Sequence, residues 1–217
     1  MVAVADGVQL EAEIDVPEAP IAAVVLAHPH PLYGGSMRTG APASLFESLP
    51  RAGVAALRFN FRGVEGSTGT HDKGGAERLD LAAAVDAVAT SAPDVPLLVC
   101  GWSFGGDVSL CVDDPRIAAW CPIAPPLGVA PMADMANVAN DPRTKVLLVP
   151  EHDQYSPPAR TRELTATWTS TDVQVLAMTD HFLGGALALI NDVVLDVVRS
   201  VIAPRSPRGG GSPRRDR

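Results

Sequence analysis

Three side chains spaced far apart along the chain, Ser103, Asp153 and His181, have the types needed for nucleophilic attack on an acyl carbonyl. Ser103 is the centre of Gly101-Trp102-Ser103-Phe104-Gly105, between the apolar run VPLLVC and a helical pattern that begins at Phe104. A G-x-S-x-G run set between a strand and a helix forces a strained turn that lifts the serine hydroxyl above the sheet edge. The bare pattern arises by chance about 0.1 times in a chain of this composition, so its strand-to-helix setting carries much of the weight. A phosphate-binding glycine turn is the competing reading, but neither G-x-G-x-x-G nor G-x-x-x-x-G-K-[ST] is present. The N–H of Phe104, the residue after the nucleophile, is then one donor of an oxyanion hole.

A serine hydroxyl is a weak nucleophile and needs a neighbouring base. With an elbow of this kind, the order along the chain is nucleophile, acid, histidine. Of the five histidines only His152 and His181 follow Ser103. His152 sits beside Asp153 directly after the run KVLLV, whereas His181 follows the last strand pattern and suits the base. The acid should leave the carboxyl end of a strand, where open α/β sheets assemble their sites. Asp153 meets that condition, with Glu151 as its rival. Asp141 and Asp172 lie at the opposite sheet edge, and Asp180 is too close to His181 to orient its ring.

These residues need a rigid frame, and the hydropathy pattern supplies one. Val-, Ile- and Leu-rich runs alternate with longer helical patterns, which predicts an α/β fold with a mostly parallel, helix-covered sheet. Strands are expected at 2–5 and 8–15, joined through Asp6-Gly7, and at 21–28, 54–59, 95–100, 117–123, 145–149 and 173–178, eight in all. Helices are expected at 38–51, 76–91, 104–113, 158–169 and 185–202, the last apolar at Leu187, Ile190, Val194 and Val197 or Val198. One α/β domain over 1–203 and a disordered basic tail over 204–217 follow.

Composition removes several other function classes. The chain has 217 residues, is 47% hydrophobic and carries a net charge of −8. Five arginines of that charge balance sit in the Gly/Pro/Arg-rich tail, so the body is more acidic still. An acidic body lacks the clustered cations that nucleic-acid binding needs. No run of 18 apolar residues and no basic-then-apolar leader is present, so a cytoplasmic protein without membrane attachment is expected. Cys100, Cys111 and Cys121 show no ligand spacing and read as buried free thiols. Nothing implies a metal or an organic cofactor, and the oligomeric state is not encoded in any visible pattern.

With these residues in place the chain resembles the α/β-hydrolase superfamily, and within it the small lidless serine hydrolases similar to dienelactone hydrolases and carboxylesterases. Beyond the elbow, the resemblance rests on Ala27-His28-Pro29-His30-Pro31-Leu32-Tyr33-Gly34-Gly35-Ser36-Met37, on Arg58-Phe59-Asn60-Phe61-Arg62-Gly63 and on Asp180-His181-Phe182. It implies that His30-Pro31-Leu32 corresponds to the family's His-Gly-X turn, making the Leu32 N–H the second oxyanion donor, with Tyr33 as the alternative one register on. The side chains of His28 and His30 then only brace a Pro-rich turn, and Arg62 anchors its loop by ion pairs. Glu65 and Pro150 stand where the family usually has glycine.

The expected activity is hydrolysis of a small-molecule acyl ester or thioester through an acyl-enzyme. Acyl transfer with the same three residues, or a silent scaffold that only binds, are the alternatives. The 21 residues from Ala124 to Thr144 are too few and too rich in proline for a lid. An open, shallow site preferring short acyl groups is therefore expected.

Overall fold

The computed structural model describes residues 1–203; the expected basic tail over 204–217 lies outside them. Two short strands, β1 (Val2–Ala3) and β2 (Gln9–Leu10), form a separate antiparallel pair about the Asp6-Gly7 turn. The main sheet begins with β3 (Ala12–Asp15), β4 (Ala22–Ala27), helix α1 (Gly40–Ser48) and β5 (Val54–Phe59). It continues through α2 (Glu77–Ser91), β6 (Leu97–Gly101), α3 (Phe104–Ser109) and β7 (Ile117–Trp120). The chain then forms α4 (Ala136–Asn140), β8 (Thr144–Pro150), α5 (Pro158–Leu164), β9 (Thr171–Leu176) and α6 (Leu187–Ile202).

The main sheet has seven strands in the order β3-β5-β4-β6-β7-β8-β9. Only the β3–β5 pairing is antiparallel. The sequence pattern predicts eight strands in one sheet. The difference arises at Glu11, where the 8–15 run breaks: its N–H bonds the Ser67 hydroxyl at 2.9 Å, so β2 pairs with β1 and only β3 joins the sheet. Two expected helices are also shorter. In α3 the Ser109 hydroxyl and Cys111 thiol bond the carbonyls of Gly106 and Asp107, side-chain contacts that compete with helix continuation. α5 stops at Leu164, before the alternating β-branched residues Thr165, Thr167 and Thr169.

Strand β4 shows how the sheet is buried on both faces. Ala23, Val25 and Ala27 pack with Leu81, Ala84, Val85 and Val88 of α2 and with Phe104 and Val108 of α3. Ala22, Val24 and Leu26 point the other way, against Ala41 and Leu45 of α1 and Ile190, Val194 and Val197 of α6. The period-two alternation of a strand assigns successive residues to opposite faces, so an unbroken apolar run is what a central parallel strand requires.

The connection from β4 runs through α1 to β5 on one side, and the next strand, β6, lies on the other side of β4. The strand order reverses there, which opens a crevice beyond the carboxyl ends of β4 and β6. His28 and Ser103 are the residues that emerge at that point. Among the described residues, no helix is long and apolar enough to cross a membrane.

Candidate active site

Ser103 sits between β6 and α3 with φ 52° and ψ −116°, a left-handed conformation that costs a non-glycine residue about 1–3 kcal/mol. Two glycines make the turn possible. A Cβ on Gly101 would lie 2.2 Å from the Gly105 carbonyl oxygen, and one on Gly105 would lie 2.6 Å from the carbonyl oxygens of Ala27 and His28. Strand and helix therefore approach to backbone contact, and the glycines are required by space rather than by flexibility. Gly105→Ala should destabilise the protein by about 1–3 kcal/mol through overpacking against backbone that cannot yield. Thermal unfolding measures this as a lower Tm.

The Ser103 hydroxyl is 2.8 Å from His181 Nε2, and His181 Nδ1 is 2.8 Å from Asp153 Oδ2. All three residues are buried. Burial opposes the charge on Asp153, but the bond from His181 and the N–H groups of Tyr155 and Ser156 outweigh it, holding the carboxyl below its usual range. An ionised carboxylate only accepts, so the imidazole donates through Nδ1 and offers its Nε2 lone pair to the Ser103 O–H. The two oxygens of Asp153 divide the work: Oδ1 takes the two N–H groups at 2.8 and 3.0 Å, and Oδ2 faces the ring.

The rival acid is directed elsewhere. Glu151 accepts the Met178 N–H at 2.8 Å with a side chain nearly half exposed, and His152 is also exposed. Pro150 is the last residue of β8, paired with Leu176, and leaves Asp153 in reach of His181. Glu65 adopts φ 46° and bonds Arg38 and Asn60, so its departure from glycine closes a polar cluster beside the site.

The structure does not bring Leu32 to Ser103. Residues Pro31–Tyr33 form a single 3-10 turn, in which the Leu32 N–H donates to His30 Nδ1 at 3.2 Å and the Tyr33 N–H to the His30 carbonyl at 3.1 Å. Both residues named for the second oxyanion donor thus have their N–H groups occupied, and Leu32 is 71% exposed. Among the described residues, the N–H groups of His30 and Phe104 have no hydrogen-bond partner, and both residues line the cavity above Ser103. His28 is a brace, as expected: its Nδ1 bonds the Pro29 carbonyl at 2.6 Å and its Nε2 accepts the Phe61 N–H at 3.0 Å. Burial pushes its pKa down to about 4, so the ring is neutral. Arg62 is an anchor too, buried and bonded to Asp80 and Asp6.

The cavity has a volume of about 710 Å³, roomier than the shallow dish expected. One wall carries Tyr155 and Phe182 against the His181 ring, with the Tyr155 ring centre 4.5 Å from it. The facing wall carries Tyr33, His30 and Phe104. The third side is the loop Pro126–Val129 after β7. Among the described residues nothing folds over the top: Met135 and Val138, in the segment where a lid would be inserted, are buried in the core. Sequence reading missed the packing of Tyr155 on His181 and a buried carboxylate behind the third wall, Asp107; an aspartate four residues after the nucleophile was its only signal.

A seven-stranded, mostly parallel sheet with Ser, His and Asp converging at its switch point defines the α/β-hydrolase class. No family model matches the chain. It is 31% identical to an uncharacterized protein of Rickettsia prowazekii over 175 residues, 76% of this chain and 73% of that one. It also matches the structure of an α/β serine hydrolase homologue from Coxiella burnetii, with 27% identity and a TM-score of 0.78 over 87% of this chain and 91% of that chain. A serine hydrolase without a lid from Xanthomonas campestris matches with 25% identity and a TM-score of 0.81 over 94% of each chain. The chain belongs to the lidless α/β serine hydrolases.

Proposed function

We propose that this protein hydrolyses carboxylic esters of small acyl groups through a covalent acyl-enzyme. The observation that carries this reading is the unbroken relay from Ser103 through His181 to ionised Asp153 at the floor of an open cavity. Ser103 Oγ attacks the acyl carbonyl as its proton passes to His181 Nε2, and Asp153 stabilises the imidazolium. The N–H groups of Phe104 and His30 hold the oxyanion, His30 taking the place first given to Leu32. His181 then protonates the leaving alcohol, and a water activated by the same ring releases the acid.

The cavity walls end at a rim instead of a cover, with Tyr33 and Phe182 more than half exposed. An acyl chain that extends past them stays in water, and each methylene there forgoes about 0.8 kcal/mol of binding. With p-nitrophenyl esters, kcat/KM should be greatest from acetate to butyrate and fall beyond about eight carbons. Stopped-flow traces should show a burst of one nitrophenol per protein, the sign of an accumulating acyl-enzyme. Faster turnover of palmitate than of butyrate would overturn the size assignment, and absence of any ester cleavage would overturn the activity.

A further inference from the structure

Asp107 lies on α3, four residues after Ser103, and is fully buried. Its carboxylate accepts three successive backbone N–H groups: Leu127 at 2.9 Å on Oδ1, and Gly128 and Val129 at 2.9 and 2.8 Å on Oδ2. Those three residues, with Pro126, are the third wall of the Ser103 cavity. The loop they belong to is strained, because Ala124 and Leu127 both adopt positive φ, 46° and 53°, without being glycine. Such conformations persist only where surrounding bonds over-determine them. The loop amides are the bonds that hold the Asp107 charge.

We propose that Asp107 is a positioning residue of the active site, whose carboxylate clamps the Leu127–Val129 wall to the helix that carries the nucleophile and so sets the shape of the acyl cavity. This rests on the serine-hydrolase reading above. The backbone of α3 completes the clamp: the Asp107 N–H donates to the Ser103 carbonyl at 3.1 Å. One residue thereby ties wall and nucleophile turn together.

The Asp107 carboxyl is pulled two ways. Burial outweighs the three N–H donors and pushes its pKa up to about 6, against about 3.9 for an unfolded aspartate. Folding then favours the protonated acid, and the stability this gives is lost as pH rises through 6. Above that pH the charge is held against burial by the Leu127, Gly128 and Val129 N–H groups. The other ionisable groups acting here are His181, which favours the Asp107 charge when its ring is protonated, and the Cys111 thiol one turn on, pushed up to about 11 by burial. Arg78 and Asp134 pair with each other and act on Cys111.

The test is Asp107→Asn, which keeps the shape but has one acceptor oxygen where three N–H groups converge. With p-nitrophenyl butyrate at pH 7.5, KM should rise about tenfold while kcat stays within about threefold, since the wall binds the acyl group and does not touch the relay. In the wild-type protein, protection of the Leu127, Gly128 and Val129 amides, corrected for intrinsic exchange rates, should change between pH 8 and pH 5, because the carboxyl that accepts from them titrates in that range. Core amides of β4 should hold theirs. An unchanged KM in folded Asp107→Asn overturns the proposal. Should that variant not fold, equal wild-type protection at both pH values overturns it instead. Loss of ester cleavage by the wild type would sink the hydrolase reading while leaving the exchange result to decide the clamp.

Discussion

Ser103→Ala should reduce ester turnover by a factor on the order of 10⁶ and remove all labelling by a fluorophosphonate, because without the hydroxyl no acyl-enzyme forms. The fold should persist. Alanine carries the same Cβ as serine, so the strain at φ 52° is unchanged, and the backbone bonds of the turn, Ser103 N–H to Ile123 and Asp107 N–H to Ser103, do not involve the lost oxygen. Circular dichroism and Tm verify that the variant is folded, and intact-mass and peptide mapping locate the adduct. The wild type should carry one adduct, on the peptide containing Ser103. A second adduct on another serine, surviving in the variant, would show that the nucleophile lies elsewhere.

Some of this site was legible in the residues alone, and the reasons for the rest are physical. Ser103 could be read because its turn is a local matter: glycines at 101 and 105 are dictated by carbonyl oxygens 2.2 and 2.6 Å from where their Cβ atoms would be. Asp153 and His181 could be placed because residues just past the carboxyl ends of β8 and β9 must reach the same edge as Ser103. The second N–H donor could not. His28-Pro29-His30-Pro31 contains the same His-Pro step twice, and choosing between the registers needs the end of β4, at Ala27, and the 3-10 turn that uses up the N–H groups of Leu32 and Tyr33. The break at Glu11 and the role of Asp107 were out of reach for another reason. Their partners, Ser67 and Leu127–Val129, are 56 and about 20 residues away, and no local spacing encodes such pairings.

Asp153→Asn should lower kcat by about 10³ to 10⁴ and leave the protein folded, because the amide changes which tautomer of His181 is held. In the wild type the carboxylate only accepts, so His181 keeps its proton on Nδ1 and its lone pair on Nε2, 2.8 Å from the Ser103 hydroxyl. An asparagine turned with its NH₂ toward the ring would donate to Nδ1 and force the proton onto Nε2, where it can no longer accept from serine. That orientation is favoured here, since the other oxygen position must still accept the N–H groups of Tyr155 and Ser156. The amide oxygen stays with the backbone and the NH₂ is left for the histidine. Glu151→Gln changes only a half-exposed group bonded to the Met178 N–H, and its oxygen can keep that bond, so activity should change less than about threefold. Steady-state rates for both variants over pH 6 to 9 decide the matter. Equal losses in the two variants, or a larger loss in Glu151→Gln, would mean that the pairing of Asp153 with His181 is not what orients the base.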